Sequence, residues 1–215
     1  MTFNSKYISF QKKTLQSRGY FCEGIEKKLI NKIKKKFKYL IDVGFHNGEI
    51  SKIFINKNKR IIVYGFDSNN SLSHKQIEEF KKKNIFYQEM IVANKNSFNN
   101  FYIYNQRPEL SSLKKRNDYL PYITKNFTKK KCVTVTLDSF ITKKKLNGNL
   151  FVKIDAEGSE KLIFYGMKKS LKKIEISGYF EYGQSWENFK FKLRDVFYLL
   201  KNLNYNVYRI CIHSA

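Results

Sequence analysis

The chain has 215 residues, a mass of 25.7 kDa and a formal net charge of +24, a length that suits one domain with a buried core. Aromatic residues make up 16% of it, which argues against disorder even with 28% charged residues. No apolar run reaches about 18 residues and residues 1–11 lack the apolar centre of a secretory leader, so neither a membrane span nor export is expected, and the cytoplasm is the expected location.

The charge invites a nucleic-acid reading, but 36 of the 42 basic residues are Lys and only 6 are Arg. Phosphate and base recognition favours the arginine fork. Abundant Lys, Asn, Ile, Phe and Tyr are also what an AT-rich genome produces without selection for a partner. Nucleic acid is therefore a secondary expectation, as is peripheral contact with an anionic surface. Cys22, Cys132 and Cys211 show no CxxC spacing, so reduced thiols are expected rather than disulfides or a zinc site, and no metal is assigned.

Residues 24–37 have helical spacing at Ile25, Leu29, Ile30, Ile33 and Phe37, with lysines on the other faces. They read as the end of an N-terminal helical extension, residues 1–37, packed on a core domain of residues 38–215. Strand and helix patterns then alternate: strands at 40–43, 61–66 and 85–92, helices at 49–56 and 71–83. This order predicts an α/β fold with parallel strands and right-handed crossovers. An added strand at 101–104 precedes a long loop, 107–121, with both prolines, a length typical of a lid or substrate wall. Beyond it come strands at 131–136, 150–154 and 174–181, helices from 137, over 158–171 and over 186–200, and a last strand at 206–212.

Two strand ends carry the chemistry. Tyr39 to Ser51 runs from an apolar strand through Asp42 and Gly44 to Gly48 and a helix; its G-x-x-x-G spacing is neither the dinucleotide fingerprint nor a P-loop. Such a turn lets a ligand approach backbone N–H groups at a helix start. Asp67 ends the second strand, where an acid can hold both hydroxyls of a ribose. The central strand ends as Leu150-Phe-Val-Lys-Ile-Asp-Ala-Glu-Gly-Ser-Glu160. Residues 39–51, 61–74 and 154–160 contain no Lys or Arg, where about six or seven would be expected, and hold Asp42, Glu49, Asp67, Asp155, Glu157 and Glu160. A cavity lined by carboxylates and free of lysine suits a ligand bearing a sulfonium and an ammonium, S-adenosyl-L-methionine, better than a nucleotide phosphate.

Residues 40–51, Leu-Ile-Asp-Val-Gly-Phe-His-Asn-Gly-Glu-Ile-Ser, resemble the opening motif of FkbM-type S-adenosylmethionine-dependent methyltransferases. Tyr64-Gly-Phe-Asp67 is similar to the family's second acidic strand end, and Ser111-Ser112-Leu113 stands where the family tends to have a serine pair. Val135-Thr-Leu-Asp-Ser-Phe140 with Phe151-Val-Lys-Ile-Asp-Ala-Glu-Gly-Ser-Glu160 resembles the family's distinctive pair, and the likeness spans residues 38–182. Phe45-His46 replaces the usual Ala-Asn, which could alter the methionine end of the site, and Asp67 lacks the usual following Glu-Pro. The resemblance implies a Rossmann-like class I methyltransferase fold, a mostly parallel sheet with helices on both faces and a C-terminal antiparallel strand.

It also implies methyl transfer to a hydroxyl of a sugar, glycan or small natural product. The cofactor residues expected are Asp42, Gly44, Asn47, Gly48, Ser51, Asp67, Glu89, Met90 and Glu157, with Glu89 and Met90 beside the adenine. Asp155 is the expected base, Glu181 its partner, and Lys153 the third catalytic residue, paired with Glu157, Glu160 or Glu181 because a lone buried ammonium is costly. A bracing ion-pair network is the alternative for Lys153 and Glu160. His46 reads as a turn residue. Two competing functions are ribose 2′-O-methylation of RNA and a non-catalytic binding protein that keeps the fold.

Overall fold

In a computed structural model of the chain, the residues described are 23–69, 72–117, 125–183 and 185–208. The chain divides into two compact units, residues 1–36 with 208–215, and residues 37–207. In the first, helix α1 (Glu23–Lys32) ends five residues before the expected stop at Phe37. The second unit carries everything that follows.

Its centre is a five-stranded all-parallel sheet in the order β3-β2-β1-β7-β8, with β1 (Tyr39–Val43), β2 (Ile62–Asp67), β3 (Ile85–Glu89), β7 (Leu150–Ile154) and β8 (Ile176–Phe180). Both central strands, β1 and β7, are buried at every position, as strands covered on two faces must be. On one face Ile41, Val43, Val152 and Ile154 join α4 (Leu137–Lys143), α5 (Glu160–Tyr165), α6 (Lys168–Lys173) and α8 (Leu193–Lys201) in a common core. On the other, Phe54 of α2 (Glu49–Lys57) meets Phe151 at 4.9 Å. Helix α3 (His74–Lys82) sends Phe80 to within 5.4 Å of Phe45. This is the Rossmann-like arrangement expected of the sequence.

Several boundaries differ from the expected ones. The third strand splits at Met90, whose N–H donates to Gln88 O at 2.8 Å. Beyond that turn β4 (Ile91–Val92) leaves for a second sheet, ordered β4-β6-β5, with β5 (Ser97–Tyr104) antiparallel to β6 (Phe127–Val135). The helix expected over 158–171 breaks into α5 and α6 at Gly166, where a Cβ would lie 2.1 Å from Ala93 O. The C-terminal helix likewise divides into α7 (Ser185–Asn188) and α8, with Lys190 at φ 55 between them. Residues 206–208 carry no strand, and the rest of the expected C-terminal antiparallel strand lies outside the described residues.

The segment 135–140 of the motif pair turns out to be structural. Thr136 caps α4 by accepting from Ser139 N at 3.1 Å, and the Asp138 carboxylate accepts from Ser170 N at 2.7 Å and Lys169 N at 3.1 Å. A carboxylate set against the first N–H groups of α6 ties two helices together.

Candidate active site

The strand order reverses between β1 and β7, and at such a switch point the carboxyl ends of the strands leave a crevice for ligand. Gly44, at φ 77, closes β1 so tightly against β7 that a Cβ there would sit 1.8 Å from Asp155 O. Only glycine fits, by conformation and by space. Asp42 and Lys153 are register partners on the two strands and lie on the same face. Asp42 is 1% exposed; one carboxylate oxygen accepts from Ser51 Oγ at 2.7 Å, and the other makes no hydrogen bond among the described residues, with Lys153 Nζ 3.4 Å away. Burial pushes the Asp42 carboxyl above the usual range, against the opposing pull of the Lys153 ammonium.

Lys153 thus departs from its expected pairings with Glu157, Glu160 or Glu181. Its ammonium donates to Gly44 O at 2.6 Å and stands 3.5 Å from Asp155 Oδ2. The reason is register: a side chain from the middle of β7 reaches its strand neighbour and the turn that neighbour enters. The cavity is therefore not lysine-free at its floor. With its side chain 5% exposed, Lys153 positions Asp155, whose own side chain is 38% exposed and can meet a ligand.

Glu157, in a left-handed conformation at φ 51, pairs with Arg116 Nη1 at 2.5 Å, and its carbonyl accepts from Ser112 Oγ at 3.0 Å. Ser112 and Arg116 strap the loop after β5 onto the turn after β7, while the Ser111 hydroxyl accepts from Tyr104 N of β5 at 3.4 Å. Glu160 is fully buried; its Oε1 accepts from Ala156 N at 2.9 Å and Gly158 N at 3.3 Å, while Oε2 has no hydrogen-bond partner among the described residues. Desolvation pushes this carboxyl up to about 7, with the two loop N–H groups pulling the other way.

Carboxylate oxygens of Asp155, Glu157 and Glu181 lie within 4.8 Å of one another. Lys153, beside Asp155, and Arg116, on Glu157, offset the mutual repulsion of this trio. Glu181 follows β8 directly, its N–H donating to Ile154 O at 2.9 Å and its carbonyl accepting from Trp186 Nε1 at 3.2 Å. Such a cluster can accept a proton, hold a cationic group, or both.

Across β1, the Asp67 carboxylate gathers His46 N at 2.8 Å, Ser68 N at 2.7 Å and Asn69 N at 3.1 Å. His46, at φ 48, is a turn residue here. Gly44 N and Phe45 N both donate to Phe66 O, and Gly48 N donates to Phe45 O, so these amides are engaged within the chain rather than turned to a ligand. Asn47 bonds Glu49 Oε1 at 3.0 Å, and Gly48 begins α2 at φ 73. Phe45 lies away from β7: its ring fills the space beside Gly65, where a Cβ would come within 2.0 Å of it. Glu89 sits opposite Asp67 in register but pairs with Lys130 at 2.7 Å, and Met90 packs against the core.

The structure brings Asp42, Gly44, Ser51, Lys153, Asp155, Glu157 and Glu181 to the β1–β7–β8 end, with Asp67 one strand away. Arg116 was not foreseen, because an Arg in a loop without a motif carries no local signal. Ser112 was marked only by resemblance, as one of a pair. Phe45 could have been paired with Gly65, since a glycine inside a strand marks close approach.

Comparison with known proteins bears on this geometry. Neither a curated protein nor a solved structure matches the chain significantly. A family model does: the methyltransferase FkbM domain matches residues 42–207, well over half of the chain and all of the strand ends described above. The chain therefore belongs to the FkbM methyltransferase family.

Proposed function

We propose that this chain is an S-adenosyl-L-methionine-dependent O-methyltransferase for a hydroxyl of a sugar, glycan or small natural product. The observation that carries the reading is the convergence of Asp155, Glu157 and Glu181 beside the switch point, with a buried lysine behind Asp155. The residues present fit the cofactor: Asp67 ends β2 where a ribose would be held, and the carboxylates of Asp155, Glu157 and Glu181 suit its cationic groups. When bound, the cofactor supplies an electrophilic methyl on a sulfonium that leaves as a neutral thioether.

The chain's own part is positioning and proton transfer. Asp155 takes the acceptor hydroxyl's proton as its oxygen gains the methyl, and Glu181 stands beside it to share the charge. Lys153 holds the Asp155 carboxylate toward β1 and, being buried, acts through that residue without touching the acceptor. Arg116 keeps Glu157 against Asp155 and Glu181 while fixing the loop after β5 as the acceptor's wall.

Calorimetry with S-adenosylhomocysteine tests the cofactor, and transfer of labelled methyl to deproteinised glycan or to RNA tests the acceptor. The reading requires binding, label in the glycan fraction, and loss of transfer in Asp155→Asn with homocysteine-nucleoside affinity kept. Label in RNA alone would make the chain an RNA ribose methyltransferase. Absence of cofactor binding in the intact protein would make it a non-catalytic member of the fold.

A further inference from the structure

The second sheet presents a face the proposed reaction does not use. Side chains of β5 and β6 alternate between two sides, and the inner side is defined by buried Phe101 and Cys132 packed on Ile91. The outer side therefore carries Phe98 and Val133, directly opposite each other in the antiparallel register and 64% and 42% exposed. Lys131 Nζ lies 5.7 Å from the Phe98 ring on that side, Lys129 follows two residues away, and Lys115 Nζ from the strapped loop lies 4.9 Å from the ring of Phe127. Neither strand contains an acidic residue or an arginine.

We infer that this outer face is a docking surface for an anionic lipid bilayer. An exposed apolar pair with long-stemmed ammoniums along the same strands is the chemistry of a headgroup boundary: the pair enters the acyl edge while the lysines reach the phosphates. Single-stranded nucleic acid fits less well. Base stacking gains from several open rings and from arginine, whereas neither strand carries an arginine and Phe127 packs edge-on against Tyr102 at 5.4 Å. Val133 offers nothing to a base. The inference rests on the exposure and charge of this face and not on the acceptor, so it stands whether or not the acceptor is the one proposed.

The test is co-sedimentation of the intact protein with phosphatidylcholine vesicles, with and without phosphatidylglycerol, after each variant is shown to melt like wild type. Wild type should bind the anionic vesicles and not the neutral ones. Lys129→Glu with Lys131→Glu should weaken binding by about fivefold per lysine or more. Phe98→Ser with Val133→Ser, which leaves the charge unchanged, should weaken it about tenfold. Lys172→Glu with Lys173→Glu on α6 is the control for a merely basic protein and should cost clearly less. Equal loss from the control pair, or unchanged binding by the serine pair, would overturn the inference. So would absence of vesicle binding alongside RNA binding that Phe98→Ser abolishes.

Discussion

Replacing Glu160 by Gln isolates the energetic cost of the loop that presents Asp155 and Glu157. In the fold this carboxyl is pushed up to about 7 from an ordinary value of 4.5, chiefly by desolvation. A raised acid binds protons more tightly folded than unfolded, so its stabilising contribution is whole below about pH 4.5 and is lost as pH rises through about 7. A shift of this size corresponds to about 3 kcal/mol. Gln keeps an oxygen to accept from Ala156 and Gly158 but has nothing to ionise. Urea unfolding, followed by the fluorescence of the single tryptophan, Trp186, 1% exposed, gives the stability of both proteins at each pH. Wild type should lose about 3 kcal/mol relative to Glu160→Gln between pH 4.5 and 8. Asp42, also raised by burial, is present in both and cancels. Parallel curves across that range would refute the argument, since the carboxyl would then titrate alike folded and unfolded.

Lys153→Met should destabilise by about 3 to 5 kcal/mol, because it leaves buried Asp42 without its ammonium, and adding Asp42→Asn should recover a large part in the same unfolding assay. Arg116→Met should cost about 2 kcal/mol and raise proteolysis of the loop after β5, whereas Arg116→Lys should restore only part of either, since a point charge replaces the fork. Gly65→Ala forces a Cβ into the Phe45 ring and should cost about 1 to 3 kcal/mol, with Phe45→Val relieving it in a double-mutant cycle. Gly44→Ala, strained at φ 77 and colliding with Asp155 O, should abolish S-adenosylhomocysteine binding measured by calorimetry.

The elements that could be read in advance are those with a strong local signature. β1 and β7 are short apolar runs closed by an acid and a glycine, and both appear within a residue of their expected bounds. The breaks could not be read. Nothing near Gly166 in sequence announces the Ala93 carbonyl it must clear, and nothing near Met90 says that the next two residues pair with β6 rather than β2. β5 begins four residues earlier than expected because pairing with β6 holds Ser97, Phe98, Asn99 and Asn100 extended, although two of them have poor strand propensity.

At the candidate site the same division holds. Which acids end which strands follows from the order of residues alone, since a strand brings its terminal side chain to the sheet's edge wherever the sheet forms. Partnership does not follow. Lys153 meets Asp42 and Asp155 because parallel pairing sets Asp42 beside it, and Arg116 meets Glu157 across 41 positions because the Ser112 hydroxyl docks its loop on the β7 turn. Charge and pattern act along the chain, but the balance of a buried cluster depends on distances of a few ångströms between segments far apart in sequence, and only tertiary packing sets those.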